Sequence, residues 1–252
     1  MAKIIAIANQ KGGVGKTTSS VNLSAALCLM GKKVLLVDCD PQGNASSGMG
    51  VLKTTRPNTY DMLIGGKTAS ECVSETEYGD VIPASKELAA ASVELINADR
   101  REYVLKDKIS ALYSEYDYIF IDCPPSLELL TVNALVASDS VLIPMQCEYY
   151  ALEGIADLLT SIKMCSRRLN RRLGIEGIVL TMYDKRKTLH RQIYEAIQRS
   201  FGGMLFSSAI RNNIAIAEAP ATGRLLYDYA PKSNGAADYR ALTAELLQRM
   251  AL

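Results

Sequence analysis

The sequence predicts an α/β domain built on a doubly wound, mostly parallel sheet with helices on both faces. Two observations predict it. Short apolar runs rich in Ile, Leu and Val alternate along the chain with stretches of helical spacing, the βαβ rhythm of strands buried on both sides. A glycine-rich turn, KGGVGKTT from Lys11 to Thr18, joins the first such run to the first helical stretch, and the carboxyl ends of strands are where these sheets carry their functional loops. At 252 residues, 48% hydrophobic and 22% charged, the chain has an ordinary globular composition and can bury a large core as one domain, residues 1–252.

Lys3 to Asn9 (KIIAIAN) is short, Ile-rich and bounded by polar residues, as expected of a buried strand. The helix after the glycine turn begins near Lys16 and runs from Thr17 to Met30. Lys33 to Asp38 (KVLLVD), Asp80 to Pro83, Tyr116 to Asp122 (YDYIFID), Ser140 to Met145 and Ile175 to Met182 read as the further strands. Helical patterns cover Asp99 to Ser114, Leu127 to Ala137, Leu152 to Leu169, Leu189 to Ser200 and Ala236 to Met250. Gly48 to Lys67 reads as a loop with short helices.

No window is apolar for long enough to span a bilayer, and the residues after Met1 lack the n-region and cleavage site of a signal peptide. The expectation is a cytoplasmic protein. Its six cysteines show no C-x-x-C spacing and lie mostly in apolar runs, which argues against zinc or a disulfide framework. With a formal net charge of +1, any polyanion must be held by a local patch.

The glycine turn reads as a phosphate-binding loop. Gly12, Gly13 and Gly15 let the backbone turn tightly and bring the N–H groups from Lys11 through Val14 to Thr18 against phosphate oxygens, where the positive end of the helix dipole adds to the attraction. Lys16 then reaches the β- and γ-phosphates of a nucleotide, and Thr17 takes Mg2+. Against the pattern G-x-x-x-x-G-K-[ST], the first Gly falls on Gln10.

Two more strand ends carry acids. Asp122 closes YDYIFID, a position suited to holding Mg2+ through water, and Pro124 and Pro125 stiffen the turn beyond it; alone, such an Asp is as often a turn or cap residue. Asp38 and Asp40 enter the loop DCDPQGN. Carboxylates beside a triphosphate repel it unless Mg2+ or an ordered water intervenes, so their presence suggests a metal and water site, the alternative being an Asp-Pro turn.

A second lysine inside the loop, Lys11, makes this segment resemble the deviant Walker A group of P-loop ATPases. The resemblance narrows to the ParA/Soj chromosome and plasmid partition ATPases: KGGVGKTT, VDCDPQGNASSG, YIFIDCPPS, PMQCEYYALEG, LTMYD and AEAP occur in that family's order across about the whole chain. Several of these segments are shared with the MinD division-site ATPases. The resemblance implies that Lys11 crosses a nucleotide-sandwich homodimer to the partner's phosphates, that Asp40 positions the attacking water, that Asp38 supports the loop or the metal shell, and that Glu148 lies near the dimer face. It also implies that Asn213 reads adenine, with Met182 flanking the base; otherwise Asn213 is a helix cap.

The family commonly reads I-P-R-N-V-R ahead of AEAP, whereas this chain has Ile210, Arg211, Asn212, Asn213, Ile214 and Ala215. Arg211 replaces Pro, and Asn212 and Ala215 replace arginines that relatives turn toward DNA. The candidates for nonspecific double-stranded DNA are therefore Lys185, Arg186 and Lys187 after LTMYD, with Arg191, Arg211 and Arg224; such a run is otherwise a solvated face.

What the resemblance implies is a Mg-ATP-dependent partition ATPase. It dimerises around ATP, binds the nucleoid nonspecifically, and hydrolyses slowly unless stimulated by a ParB/Spo0J-like protein. Stable membrane association is not expected, because the apolar stripe of the last helix (Leu242, Leu246, Leu247, Met250) lacks interleaved Lys and large aromatics. Two alternatives stand beside it: a MinD-like membrane-associated positioning ATPase, and a nucleotide-switched scaffold that scarcely hydrolyses.

Overall fold

A computed structural model describes residues 1–148 and 151–250. Its strands are β1 (Lys3–Ile7), β2 (Val34–Asp38), β3 (Asp80–Ile82), β4 (Tyr118–Asp122), β5 (Ser140–Gln146) and β6 (Gly174–Thr181). They form one parallel sheet in the order β3-β2-β4-β1-β5-β6. The helices are α1 (Lys16–Leu29), α2 (Asn44–Gly48), α3 (Thr59–Leu63), α4 (Leu88–Glu94), α5 (Val104–Ile109), α6 (Leu129–Ala137), α7 (Ala151–Arg168), α8 (Thr188–Phe201), α9 (Ile214–Ala221), α10 (Leu226–Tyr229) and α11 (Asn234–Met250).

Strand alternation sends successive side chains to opposite faces, and both faces are apolar here. Ile4, Ala6, Leu35, Val37, Ile119 and Ile121 pack under α3 to α8. Ile5, Ile7, Leu36 and Phe120 pack under α1, α2 and α9 to α11. The sheet is therefore doubly wound, as the sequence predicts. Leu242 and Leu246 of the last helix are fully buried in the second cluster with Leu23 and Leu27 of α1, so that stripe docks on the domain. No helix among the described residues is long and apolar enough to cross a membrane.

Register sets the site. Asp122 lies opposite Ile7 on one side and Asp38 on the other, so the acids closing β2 and β4 stand side by side next to the strand that feeds the glycine turn. Beyond β6, the segment leading to α9 runs alongside, bridging Ile178 to Leu205 and Tyr183 to Arg211.

The helix expected over Asp99 to Ser114 is shorter. Arg100 adopts a left-handed φ of 50°, which a helix interior does not accommodate, and α5 begins at Val104, where Asn133 Oδ1 accepts from Leu105 N–H. It tightens into a 3₁₀ turn at Ser110–Leu112. Helices α4, α9 and α10 are additions to the expected set. Within Gly48 to Lys67 the one regular helix beyond the end of α2 is α3, started by a reciprocal cap between Asn58 and Asp61.

Candidate functional site

The glycine turn leaves β1 and enters α1 with Gly13 and Gly15 at φ of 73° and 88°, a conformation that disfavours any side chain. Gly15 is the N-cap, no side chain caps the helix, and its first turn holds no acid. The amide groups of the first turn are thus unclaimed at the positive end of a 14-residue dipole, the arrangement that attracts an anion. Polar residues at the tips of β5 and β6 hold the loop in place: Gln146 Nε2 donates to Gly13 O (2.9 Å) and Thr181 Oγ1 to Val14 O (2.7 Å). Gln146 and Thr181 are register partners.

Lys16 is buried and folds back, its Nζ donating to Lys11 O at 3.0 Å. Burial lowers its pKa, against the attraction of Asp122, Cys123 and Asp40. Next to it Thr17 Oγ1 donates to Asp122 Oδ2 (2.8 Å), and one turn on Ser20 Oγ donates to Asp122 Oδ1 (2.7 Å). Asp122 is fully buried, and desolvation, with Asp38 adding, raises its pKa, while these hydroxyls oppose the shift. A buried carboxylate in that position, beside a threonine hydroxyl, suits a hard cation that draws its other ligands from phosphate and water. No group of three or more His, Cys, Asp or Glu among the described residues is placed to hold a metal unaided.

Asp38 is also fully buried, with its pKa raised by desolvation. Its Oδ1 accepts from Asp40 N–H, and its Oδ2 from the Ser46 N–H and hydroxyl at 2.8 and 2.7 Å. Its oxygens are committed to shaping the DCDPQGN loop. Asp40 uses Oδ1 to close the turn at Gln42 N–H (2.9 Å) and is 8% exposed. Ser20, Ser46, Gln146 and Thr181 are not among the residues the sequence singles out; the available signal was a polar residue at a buried strand's tip or in the first turns of a flanking helix.

On the other side of Gly15 a cavity of about 100 Å³ is lined by Thr18, Thr181, Met182, Asn213, Ile216 and Tyr239. Met182 (φ 51°) is half-exposed there. Asn213 is the N-cap of α9, its Oδ1 accepting from Ala215 N–H at 3.0 Å. The structure thus brings together the two residues expected at the base, with the cap role filled as well.

Lys11 and Glu148, assigned separately to one face, form an ion pair within the chain; Tyr149 and Tyr150 of the same CEYYALEG segment lie outside the described residues. Of the six candidate cations, Lys185, Arg186 and Arg211 line one surface cavity of about 750 Å³ with Tyr183, Asn212 and Ile214. Arg186 is paired to Asp184 (2.9 Å) and Arg211 to Asp238 (2.6 Å). Lys185, Lys187 and Arg191 make no ion pair among the described residues. Arg224 lies beyond the far end of α9, its Nη2 donating to Asp228 O, outside that cavity.

A family model described as an AAA domain matches residues 2–175. The chain is 49% identical over 249 residues to the sporulation initiation inhibitor protein Soj of Bacillus subtilis, covering 98% of both chains. It is 46% identical to the chromosome partitioning protein ParA of Myxococcus xanthus, over 99% of this chain and 89% of that protein. Among solved structures, cobyrinic acid a,c-diamide synthase of Mycobacterium smegmatis with bound ATP analog and magnesium superposes with a TM-score of 0.87 at 32% identity, covering 100% of this chain and 96% of that one.

Proposed function

We propose that this chain, which belongs to the ParA/Soj family of partitioning ATPases, binds Mg-ATP at the Lys11–Thr18 loop, closes into an ATP-sandwich homodimer, and uses that dimer to hold DNA until hydrolysis releases it. The observation that carries this reading is the fully buried Asp122 carboxylate bonded to Thr17 and Ser20 at the start of the phosphate-loop helix. Thr17 and Asp122 would hold Mg2+, with Asp38 shaping the loop behind them. Bound there, Mg2+ supplies charge neutralisation to the β- and γ-phosphates.

The protein's own groups divide the remaining work. The loop amides and Lys16 take the phosphate oxygens, which exchanges the Lys16–Lys11 carbonyl bond for a charge-assisted one. Asp40, held by Gln42 N–H on one oxygen, keeps its other oxygen to orient the attacking water. Lys11, a half-exposed side chain at the loop's edge, reaches the phosphates of the second protomer. Met182 and Asn213 take the adenine.

Asp40 is the single acid assigned to the water, with no general base assigned beside it, so hydrolysis is slow by itself. A basic group added by a partner can raise such hydrolysis by roughly 10³- to 10⁵-fold, and the family points to a ParB/Spo0J-like partner. DNA contact falls to Lys185, Lys187 and Arg191, with Arg186 and Arg211 held by acids and Arg224 further away; it places the protein on the nucleoid in the cytoplasm. Measuring phosphate release from ATP with Mg2+, with EDTA, and with Lys16→Ala tests the reading. Release should require Mg2+ and Lys16, and equal release in all three would overturn it. Scarcely any turnover, with or without a basic partner, would favour the scaffold alternative.

A further inference from the structure

Arg211 stands where the sequence pattern calls for Pro, and its partner explains its conformation. Asp238 on α11 accepts from Arg211 Nε at 3.1 and 3.0 Å, from Nη2 at 2.6 Å and from the Arg211 backbone N–H at 2.9 Å. One carboxylate thus fixes both the side chain and the main chain of the segment that ends at Asn213. Asp238 is only 9% exposed, whereas the Arg211 side chain is half-exposed.

The same face of α11 carries two more contacts, because residues three and four apart share a helix face. A Cβ on Gly235 would lie 2.6 Å from Ile216 Cγ1 and 3.5 Å from Asn213 Cγ, so the first turn of α11 packs directly on the α9 cap. Tyr239, fully buried, reaches Ser19 Oγ of α1 at 3.3 Å and lines the cavity beside Gly15. Gly235, Asp238 and Tyr239 therefore join the helix behind the phosphate loop to the segment that presents Asn213. Tyr183, paired with Arg211, follows Met182 directly, so both walls of the base cavity are tied to the clamp.

We infer that Asp238, acting through Arg211, is a positioning residue for the purine end of the nucleotide: it sets the distance between Asn213 and Met182 and so contributes to affinity for the base but not for the phosphates. This rests on the base subsite proposed above. A bidentate carboxylate–guanidinium pair with an added backbone bond is rigid in a way one hydrogen bond is not, and a cap residue carried by that backbone inherits the rigidity.

Calorimetric titration of the full chain with Mg-ATP and with Mg-tripolyphosphate separates the two ends of the ligand. Wild type should bind ATP more tightly than tripolyphosphate. Asp238→Ala should weaken ATP about tenfold and leave tripolyphosphate within about twofold; Asp238→Asn, which keeps an acceptor for the Arg211 N–H, should lose about threefold. Arg211→Gln removes the exposed partner alone and carries the test if Asp238→Ala does not fold; it too should weaken ATP about threefold. Unchanged ATP affinity in the variants that fold, or equal loss for ATP and tripolyphosphate, would overturn the inference while leaving the base subsite standing. Equal binding of both ligands by wild type would remove the base subsite and the clamp's role together.

Discussion

The Lys11 ammonium meets the Glu148 carboxylate of its own chain, 137 residues away, at the lip of the phosphate loop. Both side chains are about half exposed, and such pairs contribute no more than about 1 kcal/mol. A pair of that strength restrains Lys11 without holding it against a competing triphosphate.

Lys11→Ala should therefore abolish the ATP-dependent dimer, while Glu148→Gln should keep it and lower the ATP concentration needed by about fivefold at most. Sedimentation velocity across an ATP titration distinguishes these. A dimer in Lys11→Ala, or one lost in Glu148→Gln, would remove the exchange of partners.

Ser46 has two obligations. Its hydroxyl donates to Asp38 Oδ2 and accepts from Ala84 N–H at 2.8 Å, all of it buried. Ser46→Ala strands a buried amide and removes a donor from a buried carboxylate, which costs about 2 kcal/mol. For a domain of this size that is a drop in Tm of about 4–8 °C, readable by calorimetry. A Tm unchanged within error would show that Asp38 is held by the backbone alone.

The Asp184–Arg186 pair makes a charge prediction. Arg186 holds Asp184 well below the ordinary carboxylate value through its guanidinium and then its backbone N–H. A depressed folded pKa means that the pair's contribution is present above the unfolded value of 3.8 and lost only as pH falls through the lower folded one. Acidification from pH 8 to 5 leaves the pair intact. Asp184→Asn should instead free Arg186, strengthen DNA binding, and steepen the log-log salt slope by about 1 for each protomer whose Arg186 then reaches a phosphate. An unchanged slope would take Arg186 out of the interface.

The parts of this fold that local chemistry dictates were legible in the sequence. The first helix starts at Lys16, and KVLLVD and YDYIFID end on acids at the carboxyl ends of their strands, because a buried strand's apolar run stops where its polar terminus begins; that the two acids lie opposite one another came only with the register. Arg100 was not legible: nothing in its neighbours announces a left-handed residue, and the expected helix over Asp99 to Ser114 shortened accordingly. The supports of the site were equally hidden. Asp238 reaches Arg211 across 27 residues and Tyr239 reaches Ser19 across 220, separations that carry no periodic signal. Charge at Arg186 and Arg211 was visible, and Asp184 stands two residues from Arg186, but Asp238 meets Arg211 only once the chain is folded.

In the proposed cycle ATP assembles the dimer and Asp40 lets it go. Asp40→Ala followed in one experiment for mass by light scattering and for phosphate release tests both halves, with Lys16→Ala as the variant that should lose about 10²-fold in nucleotide affinity. With Mg-ATP, Asp40→Ala should run as a dimer that persists and releases no phosphate, with or without a basic partner, while ADP leaves it monomeric. A monomer under ATP, or release at the wild-type rate, would contradict the account.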